Sequence, residues 1–215
     1  MKIACVGYRP WALEIYDNLK RQVGHNFLII RSKVDFSKKA ITEFEPDVIL
    51  FYGWSWIIDP DLVDRYKCVM LHPSKLPKFR GGSPIQNQIA SGVTDSAVTL
   101  FIMDEGIDTG NIIFQEDFSL SGHMDEIFER LVDVGTRGTL QFLNGNCVEK
   151  KQDSSHATYY KRRSPRQSEL TIEELKTLTG KEIYDKIRML EDPYPNAYIK
   201  TIDGKKIRIK LAELE

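Results

Sequence analysis

The sequence predicts an α/β fold built on a doubly wound, mostly parallel sheet, with a short helix and hairpin appendage at its carboxyl end. Three observations carry this. Short, continuously apolar runs recur at Ile3 to Val6, Phe27 to Ile30, Val48 to Tyr52 and Cys68 to Leu71, as strands buried on both faces require. Stretches of helical period lie between them. The first runs from Trp11 to Gln22, with Leu13, Ile15, Tyr16 and Leu19 at helical spacing, and a shorter one covers Ser37 to Phe44. Finally, Met124 to Leu143 has the strongest amphipathic pattern, with Ile127, Leu131, Val134, Leu140 and Leu143 on or near one face.

Two longer strand-like runs, Ser96 to Met103 and Asn111 to Phe118, are joined by the glycine-bearing stretch Asp104 to Gly110. From Lys150 the composition changes. Lys150 to Gln167 is polar and basic and reads as an exposed connector. Thr171 to Leu178 and Gly180 to Leu190 read as short helices, and the runs Ala197 to Ile202 and Lys205 to Leu211 flank Asp203-Gly204, a hairpin signal. The expected division is a main domain over 1–150 and a connector, helices and hairpin over 151–215.

A length of 215 residues fits one ordinary domain plus an appendage, and 41% hydrophobic residues suffice for a core. Lys and Arg total 30 against 31 Asp and Glu, a net charge of −1. That balance argues against attachment to nucleic acid by bulk charge. Cys5, Cys68 and Cys147 are scattered, and no Cys or His cluster has metal-ligand spacing, so no metal is expected. The opening Met1-Lys2-Ile3-Ala4-Cys5-Val6 reads as a strand rather than a signal peptide, and no apolar stretch approaches the length of a membrane span. The expectation is a cytoplasmic protein with no membrane partner.

Ligands of open α/β sheets bind beyond the carboxyl ends of the strands. This rule selects the loops after Val6, Tyr52, Leu71 and Met103. Gly7-Tyr8-Arg9-Pro10 lacks the glycine fingerprint of dinucleotide sites. His72 follows the fourth strand directly, although a lone histidine in a loop is more often structural than catalytic. Arg80-Gly81-Gly82-Ser83-Pro84-Ile85-Gln86 reads equally as a close backbone approach or as a plain turn with proline at the first helical position. Met103 to Gly110 carries three carboxylates and two glycines. It reads as a solvated hairpin, as a weak calcium loop without EF-hand spacing, or as the source of one buried carboxylate that orients the His72 ring.

The run from Leu71-His72-Pro73-Ser74-Lys75-Leu76-Pro77 through Arg80-Gly81-Gly82-Ser83-Pro84-Ile85-Gln86, followed by Val98-Thr99 and Met103-Asp104-Glu105-Gly106-Ile107-Asp108-Thr109-Gly110, resembles the core of the 10-formyltetrahydrofolate-dependent formyltransferases. The similarity returns at Ala157-Thr158-Tyr159-Tyr160-Lys161-Arg162-Arg163-Ser164-Pro165 and at Asp192-Pro193-Tyr194-Pro195. The resemblance implies a Rossmann-like formyltransferase fold and 10-formyltetrahydrofolate as co-substrate. It also implies an active site of an Asn-x-His motif and a distant Asp. His72 and Asp108 match the last two, while Met70 stands at the Asn position. In the family picture an amine attacks the formyl carbon, the Asn amide and protonated His stabilise the oxyanion, and the Asp helps take the amine's proton. A thioether cannot donate that hydrogen bond, and one lost donor can cost about a hundred- to a thousandfold in rate. Asn87, Gln86 and Ser74 are the candidate substitutes.

The implied folate pocket comprises Trp54, Ser55, Trp56, Met103, Asp104, Ile107 and Asp108, with Phe51 and Ile57 of the same run read as core. For the acceptor, methionyl-tRNA formyltransferases resemble the first motif but carry a large carboxyl-terminal barrel, whereas about fifty residues follow Pro165 here. Glycinamide ribonucleotide formyltransferases lack the Arg-Gly-Gly-Ser-Pro-Ile-Gln style of motif. The sugar N-formyltransferases have both that motif and the Tyr-Tyr-Lys-Arg-Arg-Ser-Pro segment, so the expected acceptor is the amine of a nucleotide-linked amino sugar. A UDP-4-amino-4,6-dideoxyhexose, such as one of the pseudaminic acid pathway, fits a role in surface polysaccharide biosynthesis. The residues assigned to it are Arg9, Trp11, Ser74, Lys75, Lys78, Arg80, Gly81, Gly82, Ser83, Pro84, Ile85, Gln86, Tyr159 and Arg162. The alternatives are a non-catalytic folate- or nucleotide-binding module, a formyltetrahydrofolate hydrolase, and transfer to another amine such as an aminoacyl group. A homodimer through the carboxyl-terminal hairpin is the family expectation.

Overall fold

The apolar runs become strands in the computed structural model, which describes all residues from Met1 to Glu215. In chain order the elements are β1 (Lys2–Val6), α1 (Pro10–Gln22), β2 (Asn26–Ile30), α2 (Lys38–Phe44), β3 (Val48–Tyr52), α3 (Pro60–Arg65), β4 (Lys67–His72), β5 (Arg80–Gly81), α4 (Pro84–Ala90), β6 (Asp95–Ile102), β7 (Ile112–Ser119) and α5 (Met124–Leu143). The carboxyl-terminal part adds β8 (Tyr159–Tyr160), α6 (Ile172–Thr177), α7 (Gly180–Arg188), β9 (Ala197–Lys200) and β10 (Lys206–Ile209).

The central sheet has strand order β2-β1-β3-β4-β6-β7. Its first four strands are parallel, and β6 and β7 complete it antiparallel. Alternation along the strands then sorts two layers of core. Ile3, Cys5, Leu50, Tyr52, Val69 and Leu71 pack with α1 and α5, while Ala4, Val6, Ile49, Phe51 and Cys68 pack with α2 and α3. Burial pushes the Cys68 thiol up to about 12, so it behaves as an inert apolar side chain.

Local chemistry sets the helix ends. Proline opens α1 and Lys20 and Arg21 sit in its last turn, where the helix dipole favours cations. Ser37 Oγ accepts the Ala40 N–H at the start of α2. At α5 the Glu126 carboxylate reaches back to the His123 N–H at 2.7 Å. The sequence reading passed over α3, a six-residue helix that Pro60 and the Asp59 cap begin.

The topological switch point falls between β1 and β3, since the chain moves outward from β1 in both directions. There the buried Tyr16 hydroxyl enters the ladder, lying 3.0 Å from Val6 O and 2.9 Å from Leu50 O and accepting the Tyr52 N–H at 2.8 Å. One phenol thus stands in for backbone pairing where the two strands separate, and burial raises its pKa.

The direction of β6 corrects one expectation. Because β6 is antiparallel to β4, with Val69 opposite Ile102 and His72 opposite Thr99, its carboxyl end lies beside the amino end of β4. Met103 accordingly donates its N–H to Cys68 O. The following loop therefore does not extend a strand at the cleft edge; it doubles back across the face of the sheet. Lys150 to Gln167 also departs from a plain connector. Most of it is exposed, but Gln152 is buried and β8 pairs in parallel with β5. The hairpin β9–β10 is antiparallel and turns through Gly204 at φ 80°. No helix is long and apolar enough to cross a membrane.

Candidate active site

His72 ends β4 on the same face as Met70, because side chains two apart along a strand share a face. Its Nε2 lies 2.8 Å from the Phe79 carbonyl oxygen. A carbonyl only accepts, so Nε2 carries the hydrogen and the ring orientation is fixed. Its Nδ1 faces Asp108 Oδ2 at 3.4 Å, with both side chains buried. That same oxygen accepts the Gly81 N–H at 2.7 Å. No protein donor reaches Asp108 Oδ1, which leaves it free to accept a proton or hydrogen bond.

Backbone strain is concentrated here. Of the four non-glycine residues in the left-handed region, Asp108 (φ 55°) belongs to this pair, and Phe79 (φ 57°) and Ser83 (φ 52°) flank β5, which holds it. Two glycines permit the close approaches. At Gly81, φ 96°, a Cβ would lie 2.4 Å from Tyr160 O, and at Gly110 it would lie 1.7 Å from Ile102 O. A side chain at Gly81 would push β5 from β8, and one at Gly110 would push the end of the Asp108 loop from β6.

His72 and Asp108 open into a cleft of about 1210 Å³. Its floor is the sheet face itself, through Phe51, Met70 and Phe101, which are neighbours in register on β3, β4 and β6. One wall is aromatic. Trp54 and Trp56 pack at 4.7 Å between ring centres, Tyr8 lies 4.9 Å from Trp56, and Phe36 lies 5.2 Å from Trp54. Met103 and the loop from Asp104 to Asp108 form the opposite wall. An apolar floor beside an aromatic wall suits a flat aromatic ligand.

The cleft gathers many of the residues singled out from sequence. Arg9, Trp11, Trp54, Ser55, Trp56, Met103, Asp104, Ile107, Gly81, Gly82, Ser83, Pro84, Ile85, Gln86 and Arg162 all line it. Ser74, Lys75, Lys78, Arg80 and Tyr159 do not. Lys75 pairs with Asp117 at 2.9 Å on the surface, and Ser74 Oγ donates to Lys78 O at 2.7 Å. Arg80 turns inward, 1% exposed, with its guanidinium on Gln152 and on the Tyr159 hydroxyl. Ile57, read as core, is instead 99% exposed at the cleft rim.

Among the substitutes considered for the missing amide, two are committed. Asn87 Nδ2 donates to Gly82 O at 2.8 Å, and Ser74 is held as described. Gln86 differs: it lines the cleft, and its Nε2 is buried with no hydrogen-bond partner. Lys161 and Arg163 of the Tyr-Tyr-Lys-Arg-Arg-Ser-Pro segment line the cleft beside Arg162, and so does Tyr194, which sequence reasoning missed. Arg9 lies over the rings of Tyr8 and Tyr194 at 4.9 and 5.3 Å, and Ser55 accepts from Arg162. None of Arg9, Lys161, Arg162 and Arg163 makes an ion pair within the chain, although Lys75 and Lys38 do. Burial lowers the Arg163 pKa, and its Nε has no partner. Tyr194 joins these cations from a separate segment, so no local sequence pattern marked it.

Comparison with known proteins assigns the chain. A family model described as formyl transferase matches residues 31–139. The methionyl-tRNA formyltransferase of Syntrophomonas wolfei is 32% identical over 186 residues, covering 82% of this chain and 57% of that protein. The chain belongs to the formyl transferase family. It thus spans less than two thirds of the length of that relative. The structure of the methionyl-tRNA formyltransferase from Clostridium thermocellum superposes with TM-score 0.86 at 32% identity, covering 97% of each chain. A 4-N formyltransferase from Francisella tularensis shares the fold, with TM-score 0.79 at 21% identity over 100% of this chain and 98% of its own. The formyl donor of the formyl transferase family is 10-formyltetrahydrofolate, and the apolar slot above Phe51, Met70 and Phe101 fits its flat pterin. No group of three His, Cys, Asp or Glu side chains is placed to hold a metal ion.

Proposed function

We propose that the protein transfers a formyl group from 10-formyltetrahydrofolate to the amine of a nucleotide-linked amino sugar. The observation that carries this reading is the buried His72–Asp108 pair at the end of an apolar cleft. When bound, the donor would supply an activated formyl group on an aniline-like nitrogen, which takes up a proton and leaves as tetrahydrofolate when the acceptor nitrogen replaces it on the formyl carbon. The chain does the rest. Asp108 Oδ1 accepts the proton that the acceptor amine gives up. His72, with Nε2–H tied to Phe79, holds Nδ1 beside Asp108 at the cleft, where an Nδ1–H shared between that carboxylate and the formyl oxygen would stabilise negative charge gathering on the oxygen. Holding both reactants over one sheet face provides further acceleration by proximity.

The acceptor side rests on Arg9, Lys161, Arg162 and Arg163. Four cations without acidic partners around one cleft suit the phosphates of a nucleoside diphosphate, and Tyr194 offers a ring for stacking. A net charge of −1 supports a small acceptor over a long polyanion. A second reading, transfer to the methionyl group of an aminoacylated tRNA, is favoured by the 32% identity to methionyl-tRNA formyltransferases.

One incubation separates them. The protein is mixed with 10-formyltetrahydrofolate and either UDP-4-amino-4,6-dideoxyhexose or methionyl-tRNA, and products are read by mass spectrometry. A formylated sugar is expected. Formylmethionyl-tRNA alone would move the assignment to the second reading, and donor loss with neither product would indicate hydrolysis. Donor binding without turnover would defeat transfer.

A further inference from the structure

Gln152 lies between α5 and β8, in a stretch whose composition looks like linker, yet it is only 6% exposed. Its amide is fully used. Nε2 donates to the carbonyl oxygens of Asp108 at 2.9 Å and Gly110 at 2.7 Å. Oε1 accepts from Arg80 Nε at 3.2 Å and from Arg80 Nη2 at 2.7 Å. The orientation of this amide is forced, because a guanidinium only donates and a backbone carbonyl only accepts.

Arg80 poses the question that this arrangement answers. It is 1% exposed, and no carboxylate pairs with it. Burying a cation with neutral partners alone is costly, so the guanidinium fork must be satisfied by well-placed acceptors, here Gln152 and the Tyr159 hydroxyl at 2.6 Å. Arg80 and Gly81 together form β5. Gly81 holds the Asp108 carboxylate through its N–H, and Arg80 holds the Asp108 main chain through Gln152. Asp108 itself has φ 55°, a conformation that a non-glycine residue keeps only when its surroundings impose it.

From this geometry we infer that Gln152 is a positioning residue for Asp108, fixing the carboxylate against His72 without touching either reactant. The inference rests on the formyl-transfer reading of the His72–Asp108 pair. The segment after α5 is then part of the catalytic apparatus, although it lies outside residues 31–139, where the family model matches.

The decisive variant is Gln152→Glu, which keeps volume and an acceptor for Arg80 but loses both donors to the Asp108 loop. The first measurement needs no acceptor. The His72 ring proton signals in the nuclear magnetic resonance spectrum are expected to move in Gln152→Glu in the direction they move in Asp108→Asn. Unmoved signals in a folded variant overturn the inference. The second uses single-turnover transfer from 10-formyltetrahydrofolate to UDP-4-amino-4,6-dideoxyhexose or methionyl-tRNA, whichever is formylated. Gln152→Glu is expected to slow the reaction about a hundredfold, the size of a small misplacement of a reacting group, with little change in donor affinity. In an Asp108→Asn background the same change should cost less than about threefold, because no carboxylate remains to be placed. Equal losses in both backgrounds would show that Gln152 acts on folding alone and overturn the inference. If Gln152→Glu retains its rate while Asp108→Asn loses it, the positioning role fails and formyl transfer by the pair stands. Full turnover in Asp108→Asn removes both.

Discussion

Gly81 donates its backbone N–H to Asp108 Oδ2, the same oxygen that faces the His72 ring. The carboxylate is therefore aimed from one side by main chain and reports to an imidazole on the other, while its second oxygen stays open to the cleft.

This arrangement makes the pair the first target for mutation. His72→Ala and Asp108→Asn are each expected to lower the transfer rate by at least about a hundredfold while leaving the fold intact. Asparagine is the cleaner change at 108, because it tolerates the left-handed conformation that alanine resists. Turnover within about tenfold of the parent in either variant, measured with the formylated acceptor, would remove the pair from the mechanism.

Met70 and Gln86 make a linked prediction. Met70 offers no donor to the cleft, whereas Gln86 brings a buried amide with no partner. Gln86→Leu is expected to reduce kcat about a hundredfold. Met70→Asn, in contrast, should leave kcat within about an order of magnitude with Gln86 in the donor role. A large gain in Met70→Asn with no loss in Gln86→Leu would show that the protein works without the amide.

Tyr16 tests the switch point. Removing its hydroxyl in Tyr16→Phe leaves the Tyr52 N–H without its acceptor and the Val6 and Leu50 carbonyls without this donor. The expected loss is about 1–3 kcal/mol in denaturant unfolding. A smaller loss would mean that the strands close up and restore their own pairing.

His123 carries a pH prediction. Its Nδ1 meets Glu191 Oε1 at 2.7 Å, and this hydrogen bond, with Glu126 and Asp125 nearby and burial opposing, raises the imidazole pKa above its ordinary value. A raised value in the folded state means that the stabilisation is complete below about pH 6.5 and fades as pH climbs through the folded value. His123→Asn should therefore cost about 1 kcal/mol near pH 5.5 and less near pH 8.5. An unfolding free energy difference that grows with pH would contradict the assignment.

The sequence made the scaffold readable where burial leaves few options. Val48 to Tyr52 is packed on both faces, so its apolar run marks the strand β3 unambiguously, and α5 is written in its periodicity from Met124 to Leu143. Strand direction leaves no such trace. Ser96 to Ile102 would show the same pattern running either way, and its antiparallel course is what sends the Asp108 loop across the sheet. His72 and Asp108 were found through motif resemblance, and the contact between them is a property of the fold. Arg80 and Gln152 were illegible for a different reason: a buried arginine and its amide partner look, letter by letter, like solvated surface. Two-residue strands such as β5 and β8 give no periodicity at all.

The sheet face above Phe51, Met70 and Phe101 has one further consequence. Helices α2 and α3 cover β1, β3 and the start of β4 on that side, and the chain supplies no helix for the rest. A flat ligand lying there takes the place that a helix would fill against the sheet, so donor binding adds to the stability of the folded chain. Saturation at about a hundred times Kd would add roughly 2.7 kcal/mol to the folded state, and the melting temperature becomes a direct gauge of donor occupancy.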